Sequence, residues 1–308
     1  MQNDSSVADW IERITARFEA ADLHYGHGTD NARDEAAWLV LHCTGAPLDG
    51  SFDDWGRVVG PEEAARIHAV ADARCAEGQP LAYLLGTAWF AGLEFEVGPD
   101  ALVPRSPIAE LILDGFRPWL QPDRLRSVLD LCTGGGCIAV ATACHLPRVR
   151  VDASDISEAA LALAARNAAR HGVQERVRLL RSDLFQSLPP HGYDLILANP
   201  PYVPQSELSG LPREYRAEPA LGLASGLDGL DAALEILARA PDYLAGQGML
   251  VCEVGESEER LAAALPGLPF LWLEFEHGGS GVFLLGRAEL EAAAPAVAAL
   301  IEERTHVA

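Results

Sequence analysis

Apolar positions recur at helical spacing through the first quarter of the chain. Trp10, Ile11, Ile14 and Phe18 fall on one face of a helix, and Ala36, Ala37, Leu39, Val40 and Leu41 form a second apolar stretch. A third helix is predicted to open at Pro61, whose fixed φ suits a first turn, and to end near Gly78. Residues 1–82 therefore read as a small helical domain. The pattern then changes. Tyr83 to Pro104 carries Trp89, Phe90, Phe95 and Val97 with Gly92 and Gly98 between them, so residues 83–105 read as a hairpin linking two domains.

Residues 106–308 read as the larger domain. Ser106 to Pro118 predicts a short helix at its entrance. From Arg126, short apolar strands alternate with Ala-rich helices: strands at Ser127 to Leu131, Arg150 to Ala153, Arg176 to Arg181 and Tyr193 to Ala198, with helices at Ile138 to Ala143 and Glu158 to Arg170. Alternation of this kind implies an α/β fold with a mostly parallel sheet covered on both faces. Leu227 to Leu244 predicts a helix and Gly248 to Val254 a strand. Leu271 to Phe275 and Val282 to Leu285 then predict a strand pair around the Gly-rich turn His277 to Gly281, which places one antiparallel strand in the sheet. The Ala-rich tail predicts a helix interrupted by Pro295. No internal repeat is present.

Composition narrows the field. The 308 residues suffice for one full α/β domain and a smaller partner. Forty-five acidic residues against 23 basic ones give a formal net charge of −22, which disfavours attraction to a phosphate backbone and suits a basic partner. No stretch approaches the roughly 20 apolar residues of a membrane span, and Met1 to Trp10 is too polar for a signal peptide, so a cytoplasmic location is expected. The six cysteines, Cys43, Cys75, Cys132, Cys137, Cys144 and Cys252, contain no CxxC pair; neither disulfides nor zinc are expected.

Two stretches carry chemistry. Val128 to Gly136 runs a buried strand through Asp130 and Cys132 into Thr133-Gly134-Gly135-Gly136, ahead of an apolar helix. Glycines there let backbone approach a ligand, and the helix start offers N–H donors. In an open α/β sheet, strand ends of this kind bind ligands. Asp155 ends the next strand, 25 positions after Asp130, where a carboxylate can accept both ribose hydroxyls of a nucleoside; Ser157 is the better candidate for capping the helix that follows. Asp183, ending the third strand, could read an adenine amino group. Gly134, Gly136 and Ala139 also satisfy GxGxxA, the weak signature of a nicotinamide dehydrogenase, but that reading leaves the second stretch without a purpose.

The second stretch is Asn199-Pro200-Pro201-Tyr202, directly after the strand Tyr193 to Ala198. Consecutive prolines fix φ twice and remove two donors, leaving rigid carbonyls free to accept. A planar NH₂ presents two donors. The Asn199 side-chain oxygen can take one and the Pro200 carbonyl the other, while Tyr202 covers the flat face. An amide nitrogen is a poor nucleophile, so holding it in line with an electrophile must supply most of the acceleration.

Together, Asp130 to Gly136, Asp155, Asp183 and Asn199 to Tyr202 resemble the class I methyltransferases that modify protein glutamine side chains. Within them, the Cys132 to Cys137 loop, Glu218 to Leu230 and Gly278 to Phe283 are similar to the ribosomal branch, which methylates a glutamine of the third large-subunit ribosomal protein; Gly78-Gln79-Pro80 and Leu102 to Arg105 extend the resemblance over nearly the whole chain. The resemblance implies a Rossmann-like, seven-stranded sheet with one antiparallel strand and S-adenosyl-L-methionine as cofactor. It implies a cofactor loop at Asp130, Cys132, Thr133, Gly134, Gly135 and Gly136, with Asp155 on the ribose, Asp183 by the adenine and Asn199 bordering both sites. Asn199, Pro200, Pro201 and Tyr202 would hold the substrate, with Asn199, Pro200 and Tyr202 catalytic. A basic ribosomal protein, met before assembly, is the implied partner.

Cys132 stands where many relatives have glycine and Gly135 where serine is frequent, so Cys132 is expected to fit without a positive φ. Three alternatives remain open. A sister branch methylates release factors; DNA adenine methyltransferases share the tetrapeptide but need a basic DNA face; a non-catalytic assembly scaffold would have no use for the acceptor pair.

Overall fold

In the computed structural model, which describes residues 5–307, the stripe from Trp10 to Phe18 becomes helix α1 (Val7–Glu19). Ser6 caps it: its hydroxyl accepts from the Asp9 amide, and the Asp9 carboxylate accepts from the Ser6 amide, satisfying two free donors reciprocally. Helices α2 (Ala32–Cys43), α3 (Pro61–Glu77) and α4 (Leu81–Leu85) complete the unit. Its core sets Trp10, Ile14 and Phe18 against Leu39, Val40 and Ile67. Helix α4 escaped the sequence reading because five residues are too few for a period to show. The hairpin is shorter than expected: β1 (Thr87–Phe90) pairs with β2 (Leu93–Glu96), and the rest of 83–105 is the end of α4 and a strap without regular secondary structure.

Helix α5 (Ile108–Leu113) leads into the larger unit. There follow β3 (Ser127–Leu131), α6 (Cys137–His145), β4 (Arg150–Asp155), α7 (Glu158–Arg170), β5 (Val177–Arg181), β6 (Tyr193–Ala198), α8 (Asp231–Tyr243), β7 (Leu244–Glu253), α9 (Glu258–Ala264), β8 (Leu271–Trp272), β9 (Val282–Gly286) and α10 (Arg287–Val307). The sheet runs β5-β4-β3-β6-β7-β9-β8, and β9 is its one reversed strand. Chain order reverses between β3 and β6, which opens a crevice at their carboxyl ends.

Burial on both faces explains the continuous apolar runs. Val128, Leu195 and Leu197 pack toward α6 and the hairpin, whereas Leu129, Leu131, Ile196 and Ala198 pack toward α8 and α10.

Several boundaries differ from the sequence reading, among them α5, which keeps only Ile108–Leu113 of Ser106 to Pro118. β7 starts at Leu244, α8 starts at Asp231, and β8 keeps two of the five residues assigned to it, although the Leu273 amide still donates to the Val282 carbonyl. Pro295 does not interrupt the tail: α10 runs through it. The missing intrahelical bond costs about 3 kcal/mol. Burial of Leu290 and Val297 on either side offsets it, and Arg304 ties the helix end to Asp228 and Asp231. Among the described residues, no helix is long and apolar enough to cross a membrane.

Candidate active site

A cavity of about 250 Å³ opens over the carboxyl ends of β3, β4, β6 and β7. The β3–α6 loop forms its floor. The Thr133 amide donates to the Ser154 carbonyl at 2.9 Å, extending the β3–β4 ladder, and the Gly134 amide donates to Asp155 Oδ2 at 2.9 Å. Asp155 Oδ1 accepts from the Ser157 amide at 2.9 Å, and Ser157 caps α7 as expected, its hydroxyl accepting from Ala160. Each Asp155 oxygen retains a lone pair toward the cavity.

Asn167 on α7 locks this floor from behind. Its side chain donates to the Gly135 and Glu96 carbonyls and accepts from the Glu96 amide, so the hairpin and the glycine loop move together. Nothing in the sequence singled it out. An asparagine inside a helix was the available signal, since such a residue competes with helical hydrogen bonds unless it has other partners.

Of the residues read as cofactor-binding, Cys132, Thr133, Gly134, Gly135, Asp155, Asp183 and Asn199 line the cavity. Asp130 and Gly136 do not. Asp130 is wholly buried on the α6 side of β3, where one oxygen accepts from the Thr133 hydroxyl and the Ala139 amide. Burial pushes its carboxyl up to about 7, against the pull of those two bonds. Its part is to hold the loop. Gly136, at φ +82, is needed for packing, because a Cβ there would lie 2.8 Å from the Ala164 side chain of α7.

Cys132 corrects the sequence reading outright: it adopts φ +57, the left-handed conformation it was expected to avoid. The turn into Thr133 and Gly134 requires this geometry, and the cysteine takes it at a cost of roughly 1 kcal/mol. Its thiol is pushed well up, by burial first and the nearby Asp155 and Asp130 carboxylates second, and stays neutral.

The tetrapeptide lies across the cavity from the loop, since β6 and β3 are neighbours with Ala198 opposite Leu131. Among the described residues, the Asn199 carboxamide makes no hydrogen bond and the Pro200 carbonyl accepts none. Pro201 and Tyr202 line the cavity, whereas the Pro200 ring is buried beneath it, so only its carbonyl could serve a ligand.

Glycines back Tyr202 on two sides. A Cβ on Gly229 would lie 2.2 Å from the Tyr202 carbonyl, and one on Gly255 would lie 2.6 Å from its ring; a Cβ on Gly281 would in turn lie 2.1 Å from the Gly255 carbonyl. Gly229 of the 218–230 stretch, and Gly281 of the 278–283 stretch through Gly255, therefore seat the tetrapeptide. The Tyr202 hydroxyl donates to Glu253 at 3.2 Å, and the Ser257 hydroxyl donates to the Tyr202 carbonyl at 2.8 Å.

The segment after Tyr202 is pinned by two buried carboxylates. Arg105 grips Glu218 with two bonds of 2.6 and 2.7 Å, and the Val103 amide donates to the same carboxylate. His27 stands 3.4 Å away. Burial pushes Glu218 up, but its cationic and donor neighbours pull harder and hold it at about 2. Glu214 accepts from Arg74 of α3 at 2.8 Å and from the His24 amide at 3.0 Å. Sequence reasoning assigned no role to Arg105, Glu214, Glu218 or Glu253.

A parallel sheet with one reversed strand, a glycine loop floored by an acid, and an unspent acceptor pair beside it define a class I methyltransferase. Residues 9–86 match the PrmC N-terminal domain and residues 114–211 the methyltransferase small domain. The ribosomal protein uL3 glutamine methyltransferase of Xylella fastidiosa (strain Temecula1) is 48% identical over 97% of this chain and 96% of its own length. Its counterpart in Xanthomonas campestris pv. campestris is 48% identical over 97% of each chain, and that of Bordetella pertussis 44% identical over 94% of this chain and 99% of its own. The chain belongs to the ribosomal protein uL3 glutamine methyltransferase family.

Proposed function

We propose that this protein transfers a methyl group from S-adenosyl-L-methionine to the side-chain amide nitrogen of a glutamine in ribosomal protein uL3. The observation that carries the reading is the free Asn199 carboxamide next to the Pro200 carbonyl, at the strand end beside the glycine loop. Relatives covering almost the whole chain bear that activity in their names.

The cavity fits the cofactor by its donor set. Thr133, Gly134 and Gly135 offer backbone, Asp155 can accept from ribose hydroxyls, Asp183 can accept from an adenine amino group, and Leu163, Ile156 and Leu184 supply apolar wall. When bound, the cofactor supplies an electrophilic methyl on a sulfonium. The protein's own work is positioning: Asn199 and the Pro200 carbonyl take the two amide hydrogens, and Tyr202 limits the plane of the group. Fixing the nitrogen in this way can lower the barrier by roughly 7–11 kcal/mol, and the two acceptors stabilise positive charge developing on it.

The helical unit, residues 1–82, contributes substrate recognition, reaching the corner through Arg74 and Glu214. The net charge of −22 suits a basic ribosomal protein met before its RNA-binding surface is covered. Incubation of the purified enzyme with labelled cofactor and separate uL3, release factor and DNA samples tests the reading. Label is expected on a uL3 glutamine; label on a release factor or on adenine instead, or on nothing, defeats it.

A further inference from the structure

Glu253 ends β7 at the back of the cavity and is 6% exposed. Its Oε1 accepts from the Tyr202 hydroxyl at 3.2 Å and its Oε2 from the Ser106 hydroxyl at 2.6 Å. The fold does not call for a carboxyl here: the preceding strand positions Leu250, Val251 and Cys252 are fully buried, and burying an acid is expensive unless it is used.

The reaction leaves one requirement that Asn199 and Pro200 cannot meet. A neutral amide nitrogen that gains a methyl carries two hydrogens and a positive charge, and one proton must leave to give the N-methylamide. Carbonyl oxygens can hold an N–H but are too weakly basic to keep its proton. Glu253 is one hydroxyl away from the tetrapeptide.

We propose that Glu253 is the proton acceptor of the reaction, reached through Tyr202. Once the nitrogen carries the methyl, one of the two N–H bonds held by Asn199 and the Pro200 carbonyl turns to the Tyr202 oxygen and breaks as that oxygen takes the hydrogen. The Tyr202 O–H bond breaks as its own hydrogen joins Glu253 Oε1. The tyrosine is regenerated neutral, the nitrogen loses its charge and the carboxylate becomes a carboxylic acid, so charge and atoms balance. The proposal rests on the amide-methylation reading above.

The surroundings suit the role. Tyr202 and Ser106 face Glu253 as hydroxyl donors, Arg105 acts on it from the strap, and Cys137 and Cys252 lie close. Burial raises both thiols, which stay neutral, and Arg105 is committed to Glu218. Burial lifts the Glu253 carboxyl to about 7, against the pull of the Ser106 and Tyr202 bonds and the Arg105 charge. An acceptor near neutrality both takes and releases a proton readily.

The test uses the full chain with uL3 and cofactor. Glu253→Gln can still accept from the Tyr202 hydroxyl but cannot take its proton. Its kcat is expected to fall ~10²-fold or more, with KM for uL3 and affinity for the demethylated cofactor within about twofold, and the acid limb of the kcat–pH profile near neutrality is expected to vanish. Tyr202→Phe keeps the ring, breaks the relay and should lose the same limb. Without any substrate, difference infrared spectra of wild type against Glu253→Gln should show a carboxylic acid band titrating near neutrality. A Gln variant that turns over at the wild-type rate, a Phe variant that keeps the limb, or no titrating band overturns the proposal. A wild type silent on uL3 sinks the underlying reading instead, and the proton path with it.

Discussion

Arg74 of α3 and Glu214, beyond the tetrapeptide, form an ion pair of 2.8 Å with both side chains 1% exposed. Glu35 of α2 closes the other side of the guanidinium, and the His24 carbonyl takes a further N–H. The helical unit is thus fastened to the segment that follows the substrate corner. Without Glu214, Arg74 keeps Glu35 as counter-charge, but its buried Nη1 donor loses its acceptor. Glu214→Ala is expected to destabilise the protein by about 1–3 kcal/mol, read from denaturant unfolding, and to raise KM for uL3 more than it changes cofactor affinity. Unchanged stability would show that the pair does not fasten the two units.

Asn199→Ala and Asp155→Ala should separate chemistry from cofactor binding. The first is expected to lower kcat by ~10²–10³ for one lost transition-state bond, with cofactor affinity nearly intact by calorimetry. The second should weaken cofactor binding, because it removes the ribose acceptor and frees the Gly134 amide together. A normal rate in Asn199→Ala would mean that the nitrogen is held elsewhere.

Cys132 tests the left-handed turn. Cys132→Gly should leave stability within about 1 kcal/mol, the relieved φ offsetting lost packing and added chain freedom. Cys132→Val should cost about 2 kcal/mol or more, since a β-branched residue resists φ +57. Equal melting of the two variants would contradict the geometry.

Stability should fall as pH rises through neutrality. Glu253 and Asp130 both sit at about 7, above their ordinary 4.5 and 3.8. In that range the folded state binds more protons than the unfolded one, so their contribution is complete below ~4 and lost as pH climbs through ~7. Each shift is worth roughly 3–4 kcal/mol. Glu218, held at about 2, does the reverse, and its contribution disappears only as pH drops from ~4.5 through ~2. Urea titrations of wild type and Glu253→Gln between pH 5 and 8 should show a visibly flatter curve in the variant.

Association with uL3 should slow as salt is added, because attraction between the −22 chain and a basic partner is screened. Stopped-flow rates independent of ionic strength would exclude steering.

What the sequence revealed was what is local. Asn199 to Tyr202 and Cys132 to Gly136 were legible because strand, turn and chemistry are contiguous, and the parallel sheet followed from the alternation of strands with helices, although its strand order did not. Glu253 was invisible as a chemical group because its meaning depends on Tyr202, 51 positions away, and on Ser106, 147 positions away. Arg105 and Glu218 lie 113 positions apart and were hidden for the same reason. Asp130 and Gly136 were read as ligand contacts because motif spacing does not say which side of a loop a group faces. The Cys132 turn and the Pro295 helix were misjudged because tertiary packing outweighs a local preference of a few kcal/mol.

The glycine stack behind Tyr202 has a consequence for biosynthesis. Gly281 backs Gly255, which backs the aromatic ring, so the seat of that ring is completed by a residue 79 positions after Tyr202, just ahead of β9. A nascent chain still held at the ribosome can show its Asn-Pro-Pro-Tyr corner long before that strand has left the exit tunnel. Competence to modify a newly made protein therefore arrives only after translation has passed Gly281.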